Sequence, residues 1–434
     1  MIASTTATCG WKVVEHASWN DDTSATSTSA SSPTASISGR PTLPAAITAA
    51  VAGSDVVVPS PLVRVDHPAL DAARRAGIEV HSEIDLAGER ATAPIVAVTG
   101  TNGKTTVTTL TAAMLDASGR RAVAAGNVGR PLIDAVGDDA DVLVAEVSSF
   151  QLACSTSFHP HVAVVLAITP DHLDWHGSYE RYVSDKARIT AHQTGSDLLV
   201  FDADDADASA IARSSAARVE GFSRDAAAGQ RARVVSGELV APDGSVLARV
   251  ADMRRALVHD RTNALAAALA ARAVGATPDG IRGALSSYAT LPHRVALVGK
   301  AGGVSWYDDS KATNPDATLR ALESFDSVVL LAGGRNKGLD LGVLARAGDR
   351  LRGVVAFGEA APEVERAFRD RVPVVRGASM RDAVRAAAQL AQPGDAVLLS
   401  PACASFDAYA NYAARGDDFV AEVRELLVEG APHR

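Results

Sequence analysis

A lysine set just after a glycine-rich turn, at the end of an apolar strand, is equipped to hold phosphate. Lys104 stands in that position in the run Ile95-Val96-Ala97-Val98-Thr99-Gly100-Thr101-Asn102-Gly103-Lys104-Thr105-Thr106. Val96 and Val98 give β-branched strand character, Gly100 and Gly103 permit tight turns, and the amides that open the following helix face whatever anion sits there. Lys104 reaches toward the terminal phosphates of such a ligand, and Thr105 offers a hydroxyl to Mg²⁺. The common phosphate-loop pattern has a glycine five residues before Gly103, where this chain has Val98, so the loop is a shortened variant. Taken alone, an ordinary glycine-rich turn before a helix remains the alternative.

Three more residues extend this chemistry. Glu146 closes the apolar stretch Val142 to Val147, and a carboxylate at a strand end is a hard oxygen ligand suited to Mg²⁺. His172 lies in Thr169-Pro170-Asp171-His172-Leu173-Asp174, and Lys186 in Tyr182-Val183-Ser184-Asp185-Lys186. Singly, His172 reads as a turn or capping residue and Lys186 as a solvated helix charge. Their place after the strand signal Val162 to Thr169 raises the functional reading. In an open parallel sheet the carboxyl ends of the strands line the ligand crevice, so Glu146, Ser148, Thr169, Asp171 and His172 are expected to converge on the phosphate loop.

The elements that position these residues alternate between strand and helix, the pattern of an α/β protein. Residues 1–42 include an almost pure Ser/Thr/Ala/Pro stretch, Thr23 to Ser38, and read as low-complexity and disordered. A short βαβ pattern occupies 43–91: a helix over Ala45 to Ala52, a strand over Asp55 to Val58, a helix over Pro68 to Ala76 closed by Gly77, and a strand over Ile78 to His81. The phosphate-loop unit runs over 92–294, with helices at Val107 to Ser118 and Thr262 to Val274, a strand at Asp197 to Phe201, and a hinge at Leu291-Pro292-His293-Arg294. From 295 to 434, strand signals at Val304 to Asp308, Ser327 to Ala332, Gly353 to Phe357, Val372 to Val375 and Ala396 to Ser400 imply a second doubly wound unit. Its strand ends carry polar clusters at Asp308 to Asn314, Gly333 to Gly338 and Ser400 to Ser405.

With 434 residues, 47% of them hydrophobic and 21% charged, the chain is of ordinary globular composition. A net charge of −9 and the absence of a sustained Lys/Arg run exclude nucleic acid as the main partner. The three cysteines, Cys9, Cys154 and Cys403, are far apart and form no CxxC pair, which fits reduced thiols better than disulfides or a zinc site. No apolar run is long enough to span a bilayer, and the N-terminus lacks the basic and apolar regions of a signal peptide. A cytoplasmic protein is expected.

The strings Gly100 to Thr106, Gly126-Asn127-Val128-Gly129, Glu146-Val147-Ser148-Ser149-Phe150-Gln151-Leu152, Pro292-His293-Arg294, Asp309-Ser310-Lys311-Ala312-Thr313-Asn314 and Ser400-Pro401-Ala402-Cys403-Ala404-Ser405 together resemble the Mur ligases of peptidoglycan synthesis. The resemblance covers about residues 43 to 430. The phosphate loop is shared across these ATP-dependent amide ligases and the folylpolyglutamate ligases. The Ser-Ser-Phe-Gln-Leu and Asp-Ser-Lys-Ala-Thr-Asn strings point to the D-glutamate-adding branch.

The resemblance implies a three-domain architecture: an N-terminal UDP-binding lobe, a central phosphate-loop domain with a mostly parallel sheet, and a Rossmann-like C-terminal domain. It also implies a monomer and an ATP-dependent joining of D-glutamate to UDP-N-acetylmuramoyl-L-alanine through an acyl phosphate. By resemblance, Lys104 and the Gly100, Thr101, Asn102, Gly103, Thr105 and Thr106 segment hold ATP, while Asn263, Arg294 and Asp309 contact its nucleoside. Two Mg²⁺ ions are implied, one on Thr105 and Glu146 and one on His172 and a carbamylated Lys186. Asn127, Ser148 and Gln151 would orient the UDP-sugar substrate. Lys311, Thr313, Ser405, Phe406 and Tyr412 would hold D-glutamate, with Lys311 on its side-chain carboxylate. On their residue types alone, Ser310 or Thr313 reads as a helix cap, and Phe406 and Tyr412 as core.

Four departures from the family pattern stand out. A Ser/Thr-rich segment replaces the expected N-terminal glycine-rich loop, and Ser60-Pro61-Leu62 replaces a Ser-Pro-Gly turn, so 43–91 is expected to be an incomplete, truncated lobe that binds the UDP-sugar poorly. Asp260 stands where Asn is usual, and Arg335-Asn336-Lys337 where Asp usually precedes Lys. Two alternatives are a related amide ligase that adds another amino acid, and a nucleotide-binding protein that has lost UDP-sugar binding.

Overall fold

The computed structural model describes residues 54–227, 229–289 and 291–429. The expectations of disorder in 1–42 and of a helix over 45–52 lie outside these residues. In chain order the strands are β1 (Val56–Val57), β2 (Glu79–Val80), β3 (Ile95–Thr99), β4 (Ala122–Gly126), β5 (Val142–Glu146), β6 (Val162–Val165), β7 (Leu198–Asp202) and β8 (Arg218–Phe222), followed by β9 (Arg233–Val235), β10 (Glu238–Val240) and β11 (Val246–Arg249). The C-terminal third adds β12 (Ala296–Ala301), β13 (Val304–Asp308), β14 (Val328–Gly333), β15 (Leu351–Phe357), β16 (Val374–Arg376) and β17 (Ala396–Ala402).

Strands β3 to β8 form one parallel sheet in the order β4-β5-β3-β6-β7-β8. All residues of β3 and β5 are buried, as a sheet covered on both faces requires. Because side chains alternate along a strand, Val96 and Val98 enter one core, while Ile95 and Ala97 enter the other. The first core is closed by the helices Lys104–Asp116 and Val258–Ala273, and Ala264 to Ala271 are buried throughout. Such small side chains let that helix lie close on the sheet. The order places the switch point between β3 and β6, beside the phosphate loop.

The C-terminal sheet runs β12-β13-β17-β14-β15-β16, parallel except for β12. Edge strand β12 was not among the expected strands, and neither were β4, β8 or the antiparallel sheet β11-β10-β9. The signals for two of these were short hairpin turns. Ser236-Gly237 joins β9 to β10 and Gly302-Gly303 joins β12 to β13, all four residues in left-handed conformation. The N-terminal β1 and β2 pair in parallel, with only Ala69 and Ala73 buried beneath them.

The helix Glu83–Arg90 is fastened to the central sheet by one carboxylate. Asp85, 1% exposed, accepts from the backbone N–H groups of Ser82 (3.0 Å), Thr156 (2.9 Å) and Ser157 (3.3 Å) and from Ser155 Oγ (2.6 Å). Asp85→Ala removes a buried carboxylate that accepts three backbone N–H bonds and one hydroxyl bond, and is expected to cost about 2 kcal/mol. A shift of the denaturation midpoint in urea, at unchanged slope, checks this.

Candidate active site

The phosphate loop is shaped by what its glycines avoid. A Cβ on Gly100 (φ 145°) would lie 2.6 Å from Leu166 Cβ, and one on Gly103 (φ 86°) 2.7 Å from Asn263 Oδ1. Thr101 anchors the loop to the segment after β6: its N–H donates to Ala167 O (2.9 Å) and its hydroxyl to Thr169 O (3.0 Å). Gly103 caps the helix Lys104–Asp116 without a side-chain acceptor, which leaves the first-turn amides around Thr105 and Thr106 available to a ligand.

Both lysines of the site turn inward. Lys104 Nζ donates to Gly100 O and Thr101 O, each at 3.0 Å. Lys186, read singly as a solvated charge, is 1% exposed and donates to the same Gly100 O at 2.7 Å, with its ammonium 4.6 Å from the Tyr182 ring. That corrects the bland reading of Lys186. Burial lowers the pKa of both, and for Lys186 the Lys104 charge adds to the fall, well below the usual lysine range.

Glu146 is 3% exposed, and its Oε1 accepts from Asn127 Nδ2 at 2.8 Å. Its Oε2 is buried without a hydrogen-bond partner. His172 has a left-handed backbone (φ 54°), and burial pulls its pKa down to about 4, so the imidazole is neutral at physiological pH. An orphaned carboxylate oxygen, a neutral imidazole and a hydroxyl-bearing helix start fit a hard divalent cation. Ser148 and Gln151 satisfy one another: Ser148 N–H (2.9 Å) and Oγ (2.8 Å) donate to Gln151 Oε1. Gln151 Nε2 leans on Glu83 at 3.4 Å, and Glu83 also accepts from Ile133 N–H at 2.6 Å.

A cleft of about 890 Å³ opens between the two large sheets, lined by Asn263, Arg294, Asp309 and Lys311 together with His259 and Tyr288. Asn102 of the phosphate loop donates to Asn314 Oδ1 (3.2 Å) and Asp316 (3.0 Å), and Asp171 holds Asn314 Nδ2 (3.1 Å) and pairs with Lys337. The cap of the helix Pro315–Leu322 is Asn314, whose side chain accepts from Ala317 N–H, and neither Ser310 nor Thr313. Phe406 is 63% exposed, so it is not core. Tyr412 lies under the Lys311 ammonium, 4.1 Å from ring centre to Nζ, and edge-on to His293. Ser405 is buried and Thr313 half-buried on neighbouring loops. Glu83 and Arg415 were not singled out from sequence, and Lys337 stood there only within a polar cluster, without Asp171 as its partner. Only their partners far along the chain reveal them.

A model of the Mur ligase middle domain matches residues 98–271, and one of the Mur ligase glutamate ligase domain matches 293–403. The UDP-N-acetylmuramoylalanine–D-glutamate ligase of Desulfosudis oleivorans is 45% identical over 383 residues, covering 86% of this chain and 83% of that one. The chain belongs to the Mur ligase family. The Thermobifida fusca enzyme of the same name is 43% identical over 400 residues, covering 86% of each chain. Among solved structures, the MurF ligase of Thermotoga maritima in complex with ADP aligns with a TM-score of 0.60 at 22% identity, over 84% of this chain and 92% of that one. The UDP-N-acetylmuramate–alanine ligase of the same organism gives 0.57 at 18%, over 86% and 85%. The Mur ligase architecture expected from the motifs is therefore the one observed. Among the described residues, no helix is long and apolar enough to cross a membrane.

In this Mur ligase the cleft carboxylate Asp309 is itself perturbed. Burial raises it from the usual 3.8 to about 7, against the opposing bond from Ser400 Oγ at 2.8 Å. The folded chain then keeps a proton that the unfolded chain has released. Asp309 alone makes stability fall as pH rises from about 4 to about 7, with no further loss above that. Asp309→Asn removes this dependence, so the variant is expected to gain stability relative to wild type between pH 4.5 and pH 8. Urea denaturation of both proteins at the two pH values measures it.

Proposed function

We propose that this chain joins D-glutamate to UDP-N-acetylmuramoyl-L-alanine at the expense of ATP, in the synthesis of peptidoglycan precursors. The observation that supports it most is the cluster of Lys104, Lys186, Glu146 and His172, with Lys186 and Glu146 buried, facing a C-terminal wall that carries Lys311 and Lys337. Its relatives at 40–45% identity bear the name of that ligase.

The reaction must overcome a poor electrophile. The carboxylate oxygen of the alanyl substrate attacks the γ-phosphorus of ATP, the bond to the bridging oxygen breaks, and ADP leaves an acyl phosphate. The amine of D-glutamate then attacks the acyl carbon, inorganic phosphate departs, and the nitrogen sheds its proton to form the amide. Both steps bring anions together, so the protein's task is positioning and charge neutralisation. Lys104 and the first-turn amides cradle the β and γ phosphates, with Lys104 leaving the Gly100 and Thr101 carbonyls for the phosphate oxygens. Asn263, Arg294 and Asp309 seat the nucleoside. Asn127, Ser148 and Gln151 orient the UDP-sugar, and Asn127 is itself held by Glu146. Lys311 takes the side-chain carboxylate of D-glutamate, with Thr313, Ser405, Phe406 and Tyr412 around it.

Two Mg²⁺ ions, when bound, neutralise phosphate charge and polarise the transferring group. Thr105 and Glu146 would hold one, and His172 and Lys186 the other. An ammonium cannot ligate a cation, but burial and the Lys104 charge favour the uncharged form of Lys186, the form that reacts with CO₂ to give an anionic carbamate.

Phosphate release from ATP with UDP-N-acetylmuramoyl-L-alanine, comparing D-glutamate, L-glutamate and other amino acids, tests the assignment. Release with D-glutamate alone is expected, and release with a different amino acid would name a different ligase. Lys104→Ala should raise the barrier by more than ~3 kcal/mol while the fold persists. Half of wild-type turnover in that variant would remove the loop from the mechanism. Lys186→Ala should be nearly inactive and partly restored by millimolar formate or acetate. In wild type, ¹³C-bicarbonate should give a carbamate carbon signal that the variant lacks.

A further inference from the structure

Among the described residues, the largest fully buried side chain outside the nucleotide cleft is a cation with no carboxylate among its hydrogen-bond partners. Arg415, near the start of the helix Tyr412–Glu429, has no exposed surface. All four of its hydrogen bonds go to neutral acceptors: Nε to Ser310 Oγ (3.0 Å), Nη2 to Ser310 O (2.8 Å), and Nη1 to Cys403 O (3.1 Å) and Ala404 O (3.2 Å). Burial lowers its pKa to about 10, and the guanidinium remains charged at neutral pH.

These acceptors belong to the two loops expected to handle the amino acid. Ser310 precedes Lys311 in the loop after β13, and Cys403 and Ala404 precede Ser405 in the loop after β17. Ser310 Oγ in turn donates to Tyr412 O at 2.7 Å, which closes a ring back to the helix that carries the arginine. A third loop is moulded around the same group. A Cβ on Gly334 (φ 122°) would meet Ala404 O at 2.3 Å and Arg415 Nη1 at 3.0 Å, and Arg335 exchanges backbone bonds with Ala404. The neighbouring Gly416 lets His293 approach: a Cβ there would lie 2.2 Å from His293 Nδ1, which bonds Asp308 at the end of β13.

We infer that Arg415 is a positioning residue for the amino-acid substrate, a buried fork that sets the spacing between the Lys311 loop and the Ser405 loop. A planar guanidinium reaches three carbonyls and a hydroxyl on two loops in one fixed geometry, which a lysine ammonium cannot do. A desolvated charge whose hydrogen bonds all go to neutral groups, with Asp407 and Asp308 acting only from a distance, is costly as a packing element. It has a use where two loops must be held at one separation beside an anionic substrate. Nothing in the contacts of Arg415 reaches the segment that orients the UDP-sugar, so its effect falls on the amino acid and spares the UDP-sugar, with ATP touched only through Asp309 beside Ser310.

The inference rests on D-glutamate being that amino acid, and the experiment separates the two. Initial rates of phosphate release are measured for wild type, Arg415→Lys, Arg415→Ala, Ser310→Ala and Gly334→Ala, varying ATP, UDP-N-acetylmuramoyl-L-alanine and D-glutamate in turn. Wild type that fails to turn over with D-glutamate would overturn the functional reading itself. With that reading intact, Arg415→Lys is expected to raise the KM for D-glutamate ten-fold or more, with the KM for UDP-N-acetylmuramoyl-L-alanine within two-fold. Gly334→Ala should shift the same constant, Ser310→Ala should shift it less, and millimolar guanidinium should restore Arg415→Ala in part. A D-glutamate KM unchanged in Arg415→Lys, or three KM values rising together, would overturn the inference. If the Arg415 variants do not fold, the same selectivity in Ser310→Ala and Gly334→Ala decides it: a selective rise supports the fork, and its absence refutes it.

Discussion

Two lysine side chains converge on one backbone carbonyl, and the rest of the molecule is arranged about that meeting. Lys104 and Lys186 both donate to Gly100 O, at 3.0 and 2.7 Å, in a place from which water is excluded. Desolvation depresses both pKa values, helped for Lys186 by the Lys104 charge and for Lys104 by Arg294 and Lys311, with Glu146 and Asp171 as the opposing charges. Without an anionic ligand the loop carbonyls are a weak substitute. A site so built favours phosphate strongly, because each phosphate oxygen relieves a group the protein has left short of partners. The orphaned Glu146 Oε2 is the same device with opposite sign, a carboxylate oxygen left short of a cation.

The cluster depends on pieces far apart in the chain. Lys104 comes from the helix after β3, Glu146 from the end of β5, His172 from the segment after β6 and Lys186 from the helix that follows. They meet because the parallel order β5-β3-β6 sets three carboxyl ends side by side. Thr101, clamped between the Ala167 and Thr169 carbonyls, then fixes the loop against the β6 side. The C-terminal sheet approaches the same point through polar side chains, Asn102 with Asn314 and Asp316, and Asp171 with Lys337. Contacts of this polar kind hold two bodies in register while leaving them separable, as a cleft that must admit ATP requires.

The C-terminal loops are organised by a different principle. Around the phosphates, charge is left unanswered by the protein. Around the loops after β13 and β17, a charge is fully supplied with hydrogen bonds and buried. Arg415 thereby underlies a region in which Lys311 lines the cleft, Ser405 is buried and Phe406 is exposed. The fold departs from local economy at these places, where buried ionised groups and left-handed glycines cluster beside the cleft.

The sequence by itself determined the α/β alternation, the phosphate loop and the family, because these rest on local signals: apolar runs, glycines at fixed offsets, and contiguous strings such as Ser148-Ser149-Phe150-Gln151. It did not determine edge strand β12, the small antiparallel sheet β9 to β11, or strands β4 and β8. Strands β4, β8 and β12 are at least as long as β3 but lie at sheet edges and are partly exposed. They lack the continuous apolar run of a buried strand, and their pairing partners rather than their own composition make them strands. Nor did local sequence tell which of Ser310, Thr313 and Asn314 caps a helix, since all three are able and only the chain path decides. Lys186 shows the limit most plainly. Alone it is a helix lysine, and its burial exists only once β3 and the helix Tyr179–Ala187 are packed together. Lys337, visible only as part of a polar cluster, and Arg415 showed no role for the same reason: their partners Asp171 and Ser310 lie far away in sequence. Chemistry carried by neighbours along the chain is legible in the chain, whereas burial and charge compensation are properties of the packed structure.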